Sequence, residues 1–213
     1  MCGRFTVLTY EEVAAVVEAV ETRSSLRAIT ANDDARACAF PGSEIALVAP
    51  DDQGTLQVEQ ATWGFEAPWN NRLVFNTRIE SALEGSALWR DAVQNGRCII
   101  PVGSFFEPHA TETIPSPRTG RPMKRPYEFA DPTGLPLLLA GVRADSRCSI
   151  VTCEPNQWVA PIHNRMPLIM RFQEASTWLS PDWPTLANPN NYELRVLPEQ
   201  LQPGYAPEQL SLF

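Results

Sequence analysis

Cys2 is the residue with the most distinctive chemistry in this chain. Initiator methionine is commonly removed ahead of a small residue, and loss of Met1 leaves an α-amine and a thiol on one residue. Such a 1,2-aminothiol condenses with an aldehyde to an imine, and the thiol then closes a five-membered thiazolidine. An α-amine of pKa about 7.7–8.0 and a thiol of about 8.5 are both usable near neutrality. The same residue suits an N-terminal hydrolase, with its own amine as base. Metal chemistry is poorly supported. There are 2 histidines, His109 and His163, and 5 cysteines without close pairs, which is not a zinc-ligand spacing. An odd cysteine number fits a reducing cytoplasm better than a disulfide scaffold. Cys98, Cys148 and Cys153 read as fillers of apolar core.

Reactive groups need elements to hold them. Arg4 to Leu8 reads as a strand. Thr9-Tyr10-Glu11-Glu12 has the form of a capping box, and Val13, Val16, Val17 and Val20 make the apolar stripe of a helix. Asn32-Asp33-Asp34 is a turn. Strands are expected over Glu44 to Ala49 and Leu56 to Trp63, around the turn Asp52-Gln53-Gly54. A helix is expected over Ser86 to Asn95, with Ser86 as N-cap and Gly96 as its stop. Short apolar runs come next at Cys98–Val102, Phe105–Phe106, Tyr127–Ala130, Leu137–Val142, Ser149–Cys153 and Leu168–Met170. Between Pro108 and Pro126 lies a polar, proline-rich loop with Arg118, Arg121, Lys124 and Arg125 and no acid from 113 to 127. It is either a solvated hairpin tip or a contact surface. Tyr192 to Leu197 is a last strand, and the chain from Pro198 reads as a tail. The runs read as strands of a mixed sheet or barrel with short helices beside it, in one domain over residues 1–197 followed by a tail over 198–213.

At 213 residues and 44% hydrophobic, the chain can bury one sizeable core. No apolar run is long enough to cross a bilayer, and no basic start leads into an apolar stretch, so neither a membrane partner nor a secretory leader is expected. The formal charge of −8 taken alone argues against nucleic acid. Its distribution argues otherwise, because residues 72–171 carry a net +3 while the flanking parts carry the acids. The cations are almost all arginine, whose planar fork suits phosphate oxygens, although codon bias gives the same composition.

Four ordered motifs sharpen this reading: Met1-Cys2-Gly3-Arg4-Phe5, Phe75-Asn76-Thr77-Arg78-Ile79-Glu80, Gly103-Ser104-Phe105-Phe106-Glu107 and Pro161-Ile162-His163-Asn164-Arg165-Met166-Pro167. Together with Pro41-Gly42, Trp63-Gly64-Phe65 and Pro68-Trp69, they resemble in order and spacing the SRAP family (SOS response-associated peptidase-like proteins) over residues 2–170. The resemblance implies an α+β fold, a single domain with a mixed, barrel-like β core flanked by short helices, and a protein that binds abasic sites in single-stranded DNA and crosslinks to them through a thiazolidine at Cys2, with crosslink reversal and strand cleavage by lyase chemistry as further activities. This agrees with the independent reading of Cys2, since a ring-opened abasic deoxyribose is an aldehyde. The resemblance implies catalytic roles for Cys2, Asn76, Glu107 and His163. Asn76 would hold the nucleophile, Glu107 would shuttle protons from beside an apolar pair, and His163 would serve the sugar oxygen released on ring opening. Read by themselves, Asn76 is a turn residue, Glu107 a strand-end acid and His163 a structural histidine. DNA contacts are implied at Arg4, Arg78 and Arg165 for phosphates, at Pro41 and Trp69 for bases, and at Thr152 for the pocket. Trp69 reads equally well as core. The chain departs from the family pattern at Cys38, where the family has Asn, at Pro108, where it has Trp, and at Asn164, where it has Asp.

The last five residues, Gln209-Leu210-Ser211-Leu212-Phe213, look like the pentapeptide by which bacterial proteins bind the sliding clamp. The alternative is a tail folded back on the core. The expectation is thus a cytoplasmic, nucleoid-associated monomer that acts on abasic single-stranded DNA without metal or cofactor, with the clamp as a second partner. Two rivals remain: a thiol peptidase or amidase using Cys2, including self-processing, and a non-enzymatic clamp-associated DNA-binding module.

Overall fold

In a computed structural model of the chain, residues 2–22, 37–67, 72–188 and 191–201 are described. The chain opens with β1 (Phe5–Thr6) and α1 (Tyr10–Thr22), then β2 (Cys38–Ala39), β3 (Glu44–Pro50), β4 (Leu56–Trp63), β5 (Phe65–Glu66), β6 (Leu73–Val74) and β7 (Asn76–Arg78). Two short helices, α2 (Ile79–Leu83) and α3 (Arg90–Asn95), lead to β8 (Arg97–Val102), β9 (Ser104–Pro115), β10 (Pro122–Ala130), β11 (Leu137–Ala144) and β12 (Arg147–Cys153). The remainder holds β13 (Met166–Pro167), β14 (Ile169–Met170), α4 (Ala175–Leu179) and β15 (Arg195–Pro198). The expected α+β class with a barrel-like core is present.

Strands β12, β4, β3, β8 and β11 pair in that order, and β11 pairs back to β12, which closes the sheet. All pairs are antiparallel except β12 with β4. β8 and β11 are apolar almost throughout because both their faces are covered. One face lines the barrel, and α3 and α4 pack on the other, where the Trp178 indole donates to the Cys98 carbonyl at 2.9 Å. α1 covers β3 and β4 with Val13, Val16 and Ala19. Its capping box closes both ways: Glu12 N–H donates to Thr9 Oγ1 at 3.3 Å, and Thr9 N–H donates to Glu12 Oε2 at 2.7 Å.

A second sheet runs β15-β10-β9-β1-β2 and is antiparallel throughout. It joins the chain's first strand to its last. β1 lies between β2 and β9, with Phe5 opposite both Ala39 and Phe105.

Three expectations shift. The helix placed over Ser86 to Asn95 is regular only from Arg90, although the Ser86 carbonyl accepts from Arg90 N–H at 2.9 Å and begins the turn. The loop between Pro108 and Pro126 takes the hairpin alternative, but as a paired arm rather than a tip alone. Its prolines sit opposite one another, Pro108 to Pro126 and Pro115 to Pro122, and a two-stranded edge tolerates residues without a ladder N–H. The strand placed over Tyr192 to Leu197 is β15, and the paired body continues past residue 197 through Pro198. Trp69, the turn at 32–34 and the pentapeptide 209–213 lie outside the described residues.

Candidate active site

The site forms where the two sheets meet at β1, β9 and β12. Phe5 pairs with Phe105, and Phe106 N–H donates to the Arg4 carbonyl at 3.0 Å. Continuing this antiparallel register places Glu107 across from Gly3, beside Cys2. On the other side, β12 pairs in parallel with β7, aligning Ile150 with Asn76 and Thr152 with Arg78. The same strand pairs with β13, aligning Cys153 with Met166. β12 therefore fixes both the Asn76 segment and the loop that carries His163 and Arg165.

Cys2 and Glu107 are fully buried. The Asn76 side-chain amide donates to the Cys2 carbonyl at 2.9 Å, and this contact identifies Nδ2. That leaves Asn76 Oδ1 buried and without a hydrogen-bond partner among the described residues. A buried acceptor in this state costs about 1–3 kcal/mol, so its retention beside Cys2 points to a ligand or reacting group. His163 Nε2 lies 3.8 Å from Glu107 Oε2, close enough for a proton to pass after a small approach but longer than a hydrogen bond. At the other ring nitrogen, Nδ1 is 3.0 Å from the Arg165 carbonyl and 3.2 Å from the Arg165 N–H. Nδ1 can donate to one or accept from the other, so Nε2 can face Glu107 in either protonation state.

The electrostatics follow from burial. Removal from water raises the Glu107 carboxyl from 4.5 to about 7. Burial lowers His163 below its ordinary value, which favours neutral imidazole at neutral pH. Burial, reinforced by the neighbouring Glu107 charge, pushes the Cys2 thiol far above its ordinary range. The site thus holds an acid-base group that titrates near neutrality beside a thiol that keeps its proton. Among the described residues no group of three or more His, Cys, Asp or Glu side chains is arranged to hold a metal ion.

The arginines differ in placement. Arg165 is gripped by Glu80 through two bonds, at 2.7 and 2.9 Å, and donates to the Thr152 carbonyl at 2.8 Å. Arg4 is 6% exposed. It pairs with both oxygens of Glu199, and its guanidinium lies 3.9 Å over the Phe106 ring. Arg78 is exposed at the end of β7. Thr152 is fully buried beside Thr77. Pro41 is buried in the turn between β2 and β3. The structure therefore gathers Cys2, Asn76, Glu107, His163, Arg165 and Thr152, while Arg4 and Arg165 are already engaged by carboxylates.

Sequence reasoning missed three supporting residues. Glu80 lies inside a recognised motif, but nothing local marks it as the partner of Arg165. Glu199 lies 195 positions from Arg4 and could be found only through the fold. Trp63, fully buried, packs its ring 4.8 Å from Phe5 and 5.7 Å from Phe75 and donates to the Phe75 carbonyl at 2.8 Å. It thereby braces both the segment that carries Cys2 and the segment that carries Asn76.

A family model described as SOS response associated peptidase (SRAP) matches residues 1–200. The abasic site processing protein YoqW of Bacillus subtilis is 27% identical over 95% of this chain and 87% of its own length. The abasic site processing protein YedK of Escherichia coli is 25% identical over 84% of this chain and 79% of its own. Among solved structures, a phage-related protein of Bordetella bronchiseptica superimposes with a TM-score of 0.68 at 21% identity, covering 94% of this chain and 95% of that one. A protein of Bacteroides thetaiotaomicron gives 0.65 at 17% identity, covering 96% and 97%. These two structures share the fold.

Proposed function

This chain belongs to the SOS response associated peptidase family, and on that premise we propose that it processes abasic sites in single-stranded DNA through a thiazolidine at Cys2. The observation that carries the reading is the convergence on Cys2. Asn76 holds its carbonyl, Glu107 titrates near 7 alongside it, and His163 stands 3.8 Å from Glu107.

The chemistry begins once Met1 is removed. The Cys2 amine attacks the C1′ aldehyde of the ring-opened sugar. As the sugar opens, neutral His163 takes the C1′ hydroxyl proton and returns it to the ring oxygen, and after the amine has added to the aldehyde, loss of water gives the imine. Sγ then adds to the imine carbon, and its proton passes to the nitrogen through Glu107, which closes the ring. Glu107, at a pKa near the working pH, runs the same transfer backwards for reversal. Strand cleavage proceeds from the same imine when a base removes the 2′ proton and the 3′ phosphate leaves.

The order of events favours this reading over a thiol peptidase. A thiol held protonated by burial is a poor first nucleophile, whereas imine formation lets the amine attack first. The tail pentapeptide 209–213 supports a sliding clamp as second partner, testable by loss of clamp binding when Leu212 and Phe213 are replaced by alanine.

The test uses single-stranded DNA with one abasic site, a denaturing gel and intact mass spectrometry. The expected product is a slow band with the mass of protein without Met1 plus oligonucleotide less one water, absent for Cys2→Ala. No covalent product from protein shown to lack Met1 overturns the proposal. DNA binding that survives Cys2→Ala with no covalent product from either protein assigns the chain to the non-enzymatic class.

A further inference from the structure

The β9–β10 hairpin leaves the body at the active site and carries cations that the chemistry at Cys2 does not use. At its base, Tyr127 is opposite Glu107. Beyond this point the register shifts: Pro126 pairs with Pro108 but Lys124 pairs with Thr113, so residues 109–112 bulge against Arg125. A bulge bends a ladder and re-aims the strand residues beyond it. This one is braced, because Ala110 N–H donates to the Ile162 carbonyl at 2.8 Å and His109 Nδ1 accepts from Glu112 N–H at 3.0 Å. The arm is thereby fixed to the loop that carries His163.

The outer arm is ordered and basic. Its turn is closed by Ser116 N–H on the Arg121 carbonyl and Gly120 N–H on the Ser116 carbonyl, both at 2.8 Å. Gly120 has φ +66, which explains glycine there. Residues 117–121 are exposed. No acid occurs from 113 to 127. Arg125 is neutralised by Glu112 at 3.1 Å, and Lys124 donates to the Ala110 carbonyl but meets no carboxylate among the described residues. The guanidinium groups of Arg118 and Arg121 have neither hydrogen bond nor ion pair among the described residues. A chain of net charge −8 thus displays three uncompensated cations on a rigid arm.

We propose that this arm is a second nucleic-acid contact, holding the phosphodiester backbone that flanks the lesion through Arg118, Arg121 and Lys124. The proposal takes from the abasic-site reading only that single-stranded DNA passes the site. Five strand steps lead from Tyr127 to Pro122, a reach of about 17 Å. Successive phosphates of an extended single strand stand about twice the 3.4 Å duplex rise apart, so this is about two to three nucleotides. The arm therefore touches nothing on a short oligonucleotide and adds contacts on a long one. It confers affinity without base readout, since phosphate contacts carry no sequence information.

The experiment compares wild type with the triple variant Arg118→Ala/Arg121→Ala/Lys124→Ala. Fluorescence anisotropy is read on undamaged single-stranded oligonucleotides of about 3 and about 25 nucleotides, over a range of salt. Crosslinking rate is read on abasic oligonucleotides of the same lengths. On the long undamaged strand the variant loses about tenfold in affinity, and its salt slope falls by about 2, three contacts at about 0.7 each. On the short abasic strand it crosslinks at the wild-type rate, which also shows that it is folded. The charge-conserving Arg118→Lys/Arg121→Lys protein keeps the wild-type salt slope. Equal affinity and equal slope for wild type and triple variant on the long strand overturn the proposal. Absence of crosslinking by both proteins overturns the Cys2 reading instead and leaves the anisotropy comparison intact.

Discussion

Glutamine at position 107 should stabilise the protein at pH 8 far more than at pH 5. The Glu107 carboxyl is fully buried, and burial raises its pKa from 4.5 to about 7. The folded chain therefore holds this proton more tightly than the unfolded chain. As pH rises from 4.5 toward 7 the unfolded state ionises first, and stability is lost across that window. A separation of about 2.5 pH units, at 1.36 kcal/mol each, removes about 3 kcal/mol by pH 8 and about 1 kcal/mol at pH 5. Glutamine has the same shape and no proton to lose, so Glu107→Gln should exceed wild type by those two amounts. Urea unfolding followed by tryptophan fluorescence reads the difference, with buried Trp63 and Trp178 as reporters. The same variant should crosslink abasic DNA about 100-fold more slowly and lose the pH dependence near 7. A stability gap that is the same at both pH values, or a wild type more stable than the variant at pH 8, refutes the assignment of a neutral buried acid.

Asn76→Ala removes the bond to the Cys2 carbonyl but also the orphaned Oδ1, so the two terms oppose each other. Its unfolding free energy should change by less than about 1.5 kcal/mol while the crosslinking rate falls at least tenfold. A loss above about 3 kcal/mol on denaturation would mark Asn76 as structural. Glu80→Ala frees the Arg165 fork, and the salt slope for undamaged single-stranded DNA should steepen by about 0.7, one phosphate contact. An unchanged slope in a binding titration means Arg165 does not face DNA. Gly96→Ala would place a Cβ 1.8 Å from the Arg143 carbonyl oxygen. Thermal unfolding should show a loss of at least about 2 kcal/mol, and a neutral result would mean that the turn into β8 yields freely.

The features legible in the sequence were local or strongly patterned. The capping box of α1 and the strands β3, β4, β8, β11 and β12 follow from alternation, turn residues and apolar runs. The candidate site was read from the chemistry of Cys2 and from four ordered motifs, and the structure brings Cys2, Asn76, Glu107 and His163 together. The features hidden from the sequence depended on long-range pairing. The arm looked like a loop because prolines normally demote a strand, and their placement opposite one another shows only in the ladder. The short helices α2 and α4, of 5 residues each, carry too few turns for a periodic signal, and tertiary packing holds them. The grip of Glu80 on Arg165 and of Glu199 on Arg4 joins distant segments, and no window of sequence contains both members of either pair.

The complete burial of Cys2 sets a schedule for biosynthesis. Asn76, Glu107 and His163, which enclose it, are all made later than Cys2, so the first residues leave the ribosome while their future walls are still untranslated. At about 5–20 residues per second, roughly 5–20 s pass before Glu107 exists. The proposed removal of Met1 then competes with the pairing of β1 between β2 and β9, which carries Cys2 into the interior. On the proposed chemistry, overproduction that outruns this trimming would yield molecules that keep Met1 and form no thiazolidine. A preparation's active fraction would then be decided during translation.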